Sequence, residues 1–164
     1  MQLRLQMSFS AVLVTFNPKT FARDRHATLT YVMRIYFDMC SLQRPLDDQT
    51  QFRVRVESQA VLGMLIMCEV GRIDLIASEA LVFEIDANPD AVRRDFAAQV
   101  IAKATHFVET DDQIKAQAQK FIAAGIKSLD ALHLASAIAA QAEFFCTCDD
   151  RLFEKSSFSE HGTN

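Results

Sequence analysis

From Met33 onward, short apolar runs of strand length alternate with longer stretches of helical character. That alternation implies βαβ units, a parallel sheet and helices on both of its faces. The first strand is predicted at 34–37, within MRIYFDMC. A helix is predicted over 51–70, with Phe52, Val56, Ala60, Gly63 and Met67 near one face. A second strand at 73–77 ends on Ser78, a good N-cap for a short helix at 79–86, which ANPD then breaks. Residues 91–104 are predicted helical, and 107–110 a third short strand. Asp111 and Asp112 cap a helix running to Ala124, where Gly125 ends it. Ser128 is expected to cap the next helix, 144–147 is the fourth strand, and 150–155 is a last turn or helix. The fold class is therefore α/β, a three-layer α/β/α sandwich around a central parallel sheet.

The chain has 164 residues, half of them hydrophobic, which suits one domain with a real core. Three prolines and four glycines argue against a linker-rich architecture. A net charge of −4 argues against a general nucleic-acid coat. Residues 1–32 differ from the rest. Arg4, Lys19, Arg23 and Arg25 stand against Asp24 alone, a balance of 4 − 1 = +3, and no helix or strand period lasts. They are expected to form an extension outside the fold, from an upstream choice of start codon; an Arg-rich targeting peptide is the alternative. The domain is then expected over 33–155, with a tail at 156–164. No apolar run approaches the roughly 20 residues that span a bilayer. Cys40, Cys68, Cys146 and Cys148 form no CxxC pair, and they are expected as free core thiols of a cytoplasmic protein.

In an open parallel sheet, ligands bind beyond the carboxyl ends of the strands. Several acids fall at such places. Asp38 ends the first strand, Glu84 lies on the helix after the second, and Asp130 is in the first turn of the helix that feeds the fourth strand. Asp149 and Asp150 follow that fourth strand. Each has a structural reading too. Asp130 suits a helix N-terminus, Asp149 or Asp150 suits a cap, and Glu84 suits a solvated helix face. Asp38 is harder to explain away, because an acid ending a central apolar strand is costly to bury without a partner. Together the acids suggest a magnesium or manganese site, since clustered carboxylates repel one another until a hard cation binds. His133, three residues after Asp130, shares its face and either lines the site or is a core histidine with a bonded ring. No Gly-rich phosphate loop and no GxSxG is present. Phosphoaspartyl transfer of the haloacid-dehalogenase type wants a second Asp where Cys40 stands.

IYFDMCSLQRPLDDQ, SEALVFEIDANP, and SLDALHLASAI followed by FFCTCDDRLF together resemble the PIN domain, nearest to small prokaryotic proteins of the VapC-toxin type. The resemblance implies that Asp38, Glu84, Asp130 and Asp149 are the catalytic acids. Asp38, Asp130 and Asp149 would hold Mg²⁺ or Mn²⁺, with Thr147, Asp150 and His133 in support. It implies a metal-dependent endoribonuclease, the toxin of a toxin–antitoxin pair, with RNA as substrate, a small antitoxin as partner, and a homodimer. Met39, Gln43 and Ile85 depart from the usual pattern around those acids. The chain also ends on SSFSEHGTN, where related sequences run on into a final strand. These departures go with a decayed gene product that keeps the fold but not full activity.

RNA needs cations as well as a metal. Arg44, Arg53 and Arg55 follow the first strand and are either its contacts or a solvated surface. Residues 34–164 carry 13 basic and 20 acidic side chains, 13 − 20 = −7, which fits a short bound RNA segment better than broad duplex binding. Two rivals stand beside the nuclease: a catalytically weak PIN module that binds protein, and a phosphatase or other metal hydrolase on a similar sheet.

Overall fold

The computed structural model describes residues 3–5, 12–16 and 32–152 of the chain. Among the described residues, six strands make one sheet: β1 (Leu3–Leu5), β2 (Val12–Phe16), β3 (Met33–Phe37), β4 (Ile73–Ser78), β5 (His106–Val108) and β6 (Phe144–Thr147). Four of them, β6, β3, β4 and β5 in that order, run parallel. The connections between them carry α1 (Met39–Leu42), a 3-10 turn (Arg44–Leu46), α2 (Phe52–Glu69), α3 (Glu79–Ala87), α4 (Ala91–Ile101), α5 (Asp112–Ala123) and α6 (Ser128–Ala139). This is the α/β/α architecture expected from the alternating pattern. Its centre is β3, whose Ile35, Tyr36 and Phe37 are each no more than 1% exposed. Burial on both faces is what a parallel strand between helical layers requires.

Local chemistry sets most element ends. Ser78 accepts from the Leu81 amide at 3.3 Å and starts α3. Asp90 accepts from Val92 and Arg93 to start α4, and Asp111 from Ile114 to start α5. Gly125 takes the left-handed conformation (φ +89°) that closes α5. Two sequence readings shift here. Ser128 is the first helical residue of α6 and not its cap; Lys127 holds that position without a side-chain bond. The third strand is His106–Val108, earlier and shorter than 107–110.

The region read as an extension outside the fold behaves differently at its two described stretches. β2 pairs antiparallel with β6, Val14 opposite Phe145, and β1 pairs antiparallel with β2. Without them β6 would leave a row of unpaired backbone groups at the sheet edge. The run AVLVTF has strand propensity but is too short to establish a period by itself. The expected tail at 156–164 lies outside the described residues.

Helix α2 is oriented by a charge. Of the residues read as one face, Phe52, Gly63 and Met67 are exposed, while Val54, Glu57, Ser58 and Val61 point inward. Glu57 is only 1% exposed and stands 2.7 Å from Arg53 Nε and 2.9 Å from Arg44 Nε. The Arg53 contact is a good hydrogen bond; the Arg44 contact is close but poorly aligned. Arg44 also reaches Asp47 at 3.0 Å, and Arg53 reaches Asp150 at 2.8 Å. These pairs tie α2, the 3-10 turn and the end of β6 together. Removing one partner of a buried pair strands the other charge. Glu57→Ala is therefore expected to cost about 3 kcal/mol of unfolding free energy, measured by urea denaturation. A cost below about 1 kcal/mol, the range of a surface pair, would show that the pairs carry little of the packing.

Candidate active site

The parallel register brings the acids together. Phe37 lies opposite Cys146, and the Asp38 amide donates to the Cys146 carbonyl at 3.0 Å, so Asp38 and Thr147 emerge side by side. α6 returns antiparallel to β6, which puts its first turn, with Asp130, at the same end of the sheet. α3, carrying Glu84, leaves the end of β4 next door.

Asp38 is buried, 7% exposed, and is the N-cap of α1. Its Oδ1 accepts from the Ser41 amide at 2.9 Å. The Cys40 thiol stands 3.0 and 3.1 Å from its two oxygens, and the Thr147 hydroxyl bonds it as well. Burial pushes the Asp38 carboxyl above the usual carboxylate range; the bonds from Cys40, Thr147 and Ser41 pull it back only in part. Cys40 counts as exposed, yet its thiol is turned inward. Contact with Cys148, burial and the Asp38 charge push that thiol up, so it stays protonated and donating. This support was missed in the sequence, where Cys40 registered as a free core thiol and as a missing second Asp.

Asp130 is half-buried, and no hydrogen bond reaches its carboxylate among the described residues. Burial raises it, Lys127 opposes, and the charges of Asp149 and Asp38 raise it further. Asp38 and Asp149 are thus both close enough for their charges to act on Asp130. Asp149 is shaped by a local turn: its amide donates to Thr147 Oγ1 at 3.0 Å, and its Oδ1 accepts from the Arg151 amide at 2.9 Å. Glu84 joins through His133, whose Nε2 is 2.9 Å from Glu84 Oε2. His133 is 2% exposed.

Some expected site residues are engaged elsewhere. Asp150 is exposed and gripped by Arg53, which holds its carboxyl below the usual range. Arg44 and Arg53 are ion-paired with Glu57, Asp47 and Asp150. Arg55 is exposed, over the Phe52 ring at 5.8 Å. Tyr36 and Ser78, which the sequence offered only as a strand residue and a cap, both bond within the site: Tyr36 Oη lies 2.6 Å from Ser78 Oγ and 2.7 Å from His133 Nδ1.

A family model described as "PIN domain" matches residues 42–158, more than half of the chain. The chain belongs to the PIN domain family. Glu84, Asp130 and Asp149 of this PIN domain lie within the matched span, and Asp38 lies just before it. PIN domains are generally nucleases, so the fold is a nuclease fold. No curated protein and no solved structure matches the chain significantly. Among the described residues, no helix is long and apolar enough to cross a membrane.

PIN domains generally use divalent metal ions, and the donor set fits one. The clustered groups are hard carboxylate oxygens; burial shifts Asp38 toward protonation, and burial with the charges of Asp149 and Asp38 does the same to Asp130. Among the described residues, no three His, Cys, Asp or Glu side chains already stand as a cage. Mg²⁺ commonly keeps several waters and needs only one or two carboxylates.

The electrostatics give a testable sign. A carboxyl whose folded value lies above its unfolded one takes up protons more readily when folded, so its contribution to stability falls as pH rises through the raised value. Asp38→Asn, which keeps an N-cap acceptor, is expected to raise the melting temperature at pH 7 without metal by about 2–4 °C, the effect of about 1 kcal/mol in a domain of this size. The gain should shrink toward pH 4. A lower melting temperature at pH 7 would contradict the desolvation account.

Proposed function

We propose that this PIN domain is a metal-dependent endoribonuclease and the toxin component of a toxin–antitoxin pair. The observation that supports the reading is the buried Asp38 carboxylate, with the charges of Asp38 and Asp149 acting on half-buried Asp130, on a nuclease fold. In this reading Asp38, Asp130 and Asp149 hold Mg²⁺ or Mn²⁺, directly or through water, and Glu84 completes the ring. When bound, a divalent ion makes its water more acidic and stabilises charge on the scissile phosphate. The chain's own part is to hold the acids ready. Cys40, Thr147 and Ser41 fix the Asp38 carboxylate, and His133 fixes Glu84. Thr147 links Asp38 to the turn that carries Asp149. With Arg44 and Arg53 committed to ion pairs, Arg55 is the cation proposed for the RNA backbone.

A second reading, a weakly catalytic module acting through protein binding, is favoured by one observation. Leu62, Ile66, Met67 and Val70 form an exposed apolar patch on the C-terminal half of α2, with Ile66 59% and Val70 61% exposed. Apolar residues grouped in this way commonly serve protein contact. The patch suits a small antitoxin or a second copy of the chain, and it is compatible with a nuclease whose activity a partner controls.

The two readings part in one assay. A mixed RNA pool is incubated with the purified protein in Mn²⁺ or in EDTA, beside an Asp130→Asn variant. The nuclease reading expects cleavage only with Mn²⁺, slowed about a hundredfold or more in the variant, the range seen when charge stabilisation at a reacting centre is lost. Cleavage equal in both proteins would remove Asp130 from the site. No cleavage, with no rise of melting temperature in Mn²⁺, would favour the binding module.

A further inference from the structure

We propose that Tyr36 and His133 are positioning residues: a one-way hydrogen-bond relay from the Leu81 amide through Ser78, Tyr36 and His133 fixes the orientation of the Glu84 carboxylate. The proposal deepens the nuclease reading and rests on it for its catalytic consequence, but not for the relay itself.

The direction follows from counting protons. Ser78, Tyr36 and His133 are 0%, 0% and 2% exposed, so bulk water cannot satisfy their polar atoms. Ser78 Oγ accepts from the Leu81 amide at 3.3 Å. Its own proton needs an acceptor, and among the described residues its other partner is Tyr36 Oη, 2.6 Å away. Ser78 therefore donates to Tyr36. The Tyr36 proton then goes to its remaining partner, His133 Nδ1, 2.7 Å away. Nδ1 must be bare to accept it. A neutral imidazole carries its proton on the other nitrogen, so Nε2–H points at Glu84 Oε2, 2.9 Å away.

The far end gives the same answer. An ionised carboxylate only accepts, so Glu84 requires a donor at Nε2, and Nδ1 then has to receive. Both ends select one tautomer with no proton left unplaced. Had Nδ1 carried a proton, Tyr36 would have to donate to Ser78, and the buried Ser78 hydroxyl proton would have no acceptor among the described residues. Two further features hold the relay. The Tyr36 ring is stacked on Phe145, centroids 5.5 Å apart and planes 8° apart. Burial keeps the Tyr36 hydroxyl protonated and hence a donor.

The fold explains why these residues meet. Tyr36 on β3 and Asp38, still extended just beyond its end, are two apart and so point to the same face of the sheet. His133 descends from α6 onto that face, and Ser78 ends the neighbouring strand. Glu84 lies at the rim, one third exposed at its side chain. Without a fixed donor its carboxylate would sample several rotamers. The relay ties its orientation to the buried centre of the sheet.

The test is NMR on the whole chain with labelled histidine and glutamate, for the protein and for Tyr36→Phe, with melting curves confirming that both fold. Expected for the protein are His133 shifts of an Nε2-protonated ring with a bare Nδ1, and side-chain couplings of a single Glu84 rotamer. Expected for Tyr36→Phe are averaged tautomer shifts and an averaged Glu84 rotamer. On RNA, kcat should fall about tenfold or more, the scale of misplacement at a reacting centre, with KM little changed. A proton on Nδ1 in the unmodified protein, or an unchanged tautomer in Tyr36→Phe, would overturn the relay. A disturbed tautomer with an unmoved Glu84 rotamer and unchanged kcat would overturn the positioning role. If the unmodified protein cleaves no RNA, the nuclease reading fails, while the tautomer and rotamer still decide the relay.

Discussion

The Asp38 carboxylate has to leave water to sit at the end of the central strand, and much of the surrounding structure is arranged around that cost. An uncompensated buried charge is worth several kcal/mol of destabilisation. Here an amide, a thiol and a hydroxyl converge on it, from Ser41, Cys40 and Thr147. They lessen the penalty without cancelling it, since the carboxyl still stands above its ordinary range. Asp130 and Asp149 add repulsion where a stability-driven design would place a cation. A site that keeps repelling acids together is arranged for something positive to enter it.

The cations of the chain are used in a different place. Arg44 and Arg53 meet over Glu57, and Arg53 extends to Asp150. This network fastens α2 to the end of β6, just beyond Thr147, so it anchors the turn that carries Asp149. It also pairs with carboxylates two of the arginines expected to meet a phosphate backbone. Packing and site geometry are thus coupled through one buried glutamate, although Glu57 itself does not belong to the acidic cluster.

The alternation of strand-like and helical runs made the parallel sheet legible, because a period of two or of 3.6 reflects which face of an element is buried. Asp38, Asp130, Asp149 and Glu84 were legible for a related reason: acids at element ends in an apolar chain need an explanation. What stayed hidden depends on three-dimensional meeting. Tyr36 reads as a strand aromatic, yet its hydroxyl bridges β4 and α6. Cys40 reads as a free core thiol, yet that thiol donates to Asp38. The inward face of α2 was obscured because a charged residue, Glu57, is buried while Phe52 and Ile66 are exposed. The pairing of Val12–Phe16 with the sheet edge was obscured because five residues are too few to set a period.

The claim on which the account turns is that the clustered carboxylates exist to hold a divalent ion. Its most direct test is Mn²⁺ binding followed by the electron paramagnetic resonance of the free ion, with the protein and with Asp38→Asn. The account predicts saturable binding by the protein, weakened about tenfold or more in the variant, the scale on which a metal site loses affinity when its ligand environment is impaired. Equal binding by both proteins, or none by either, would contradict it.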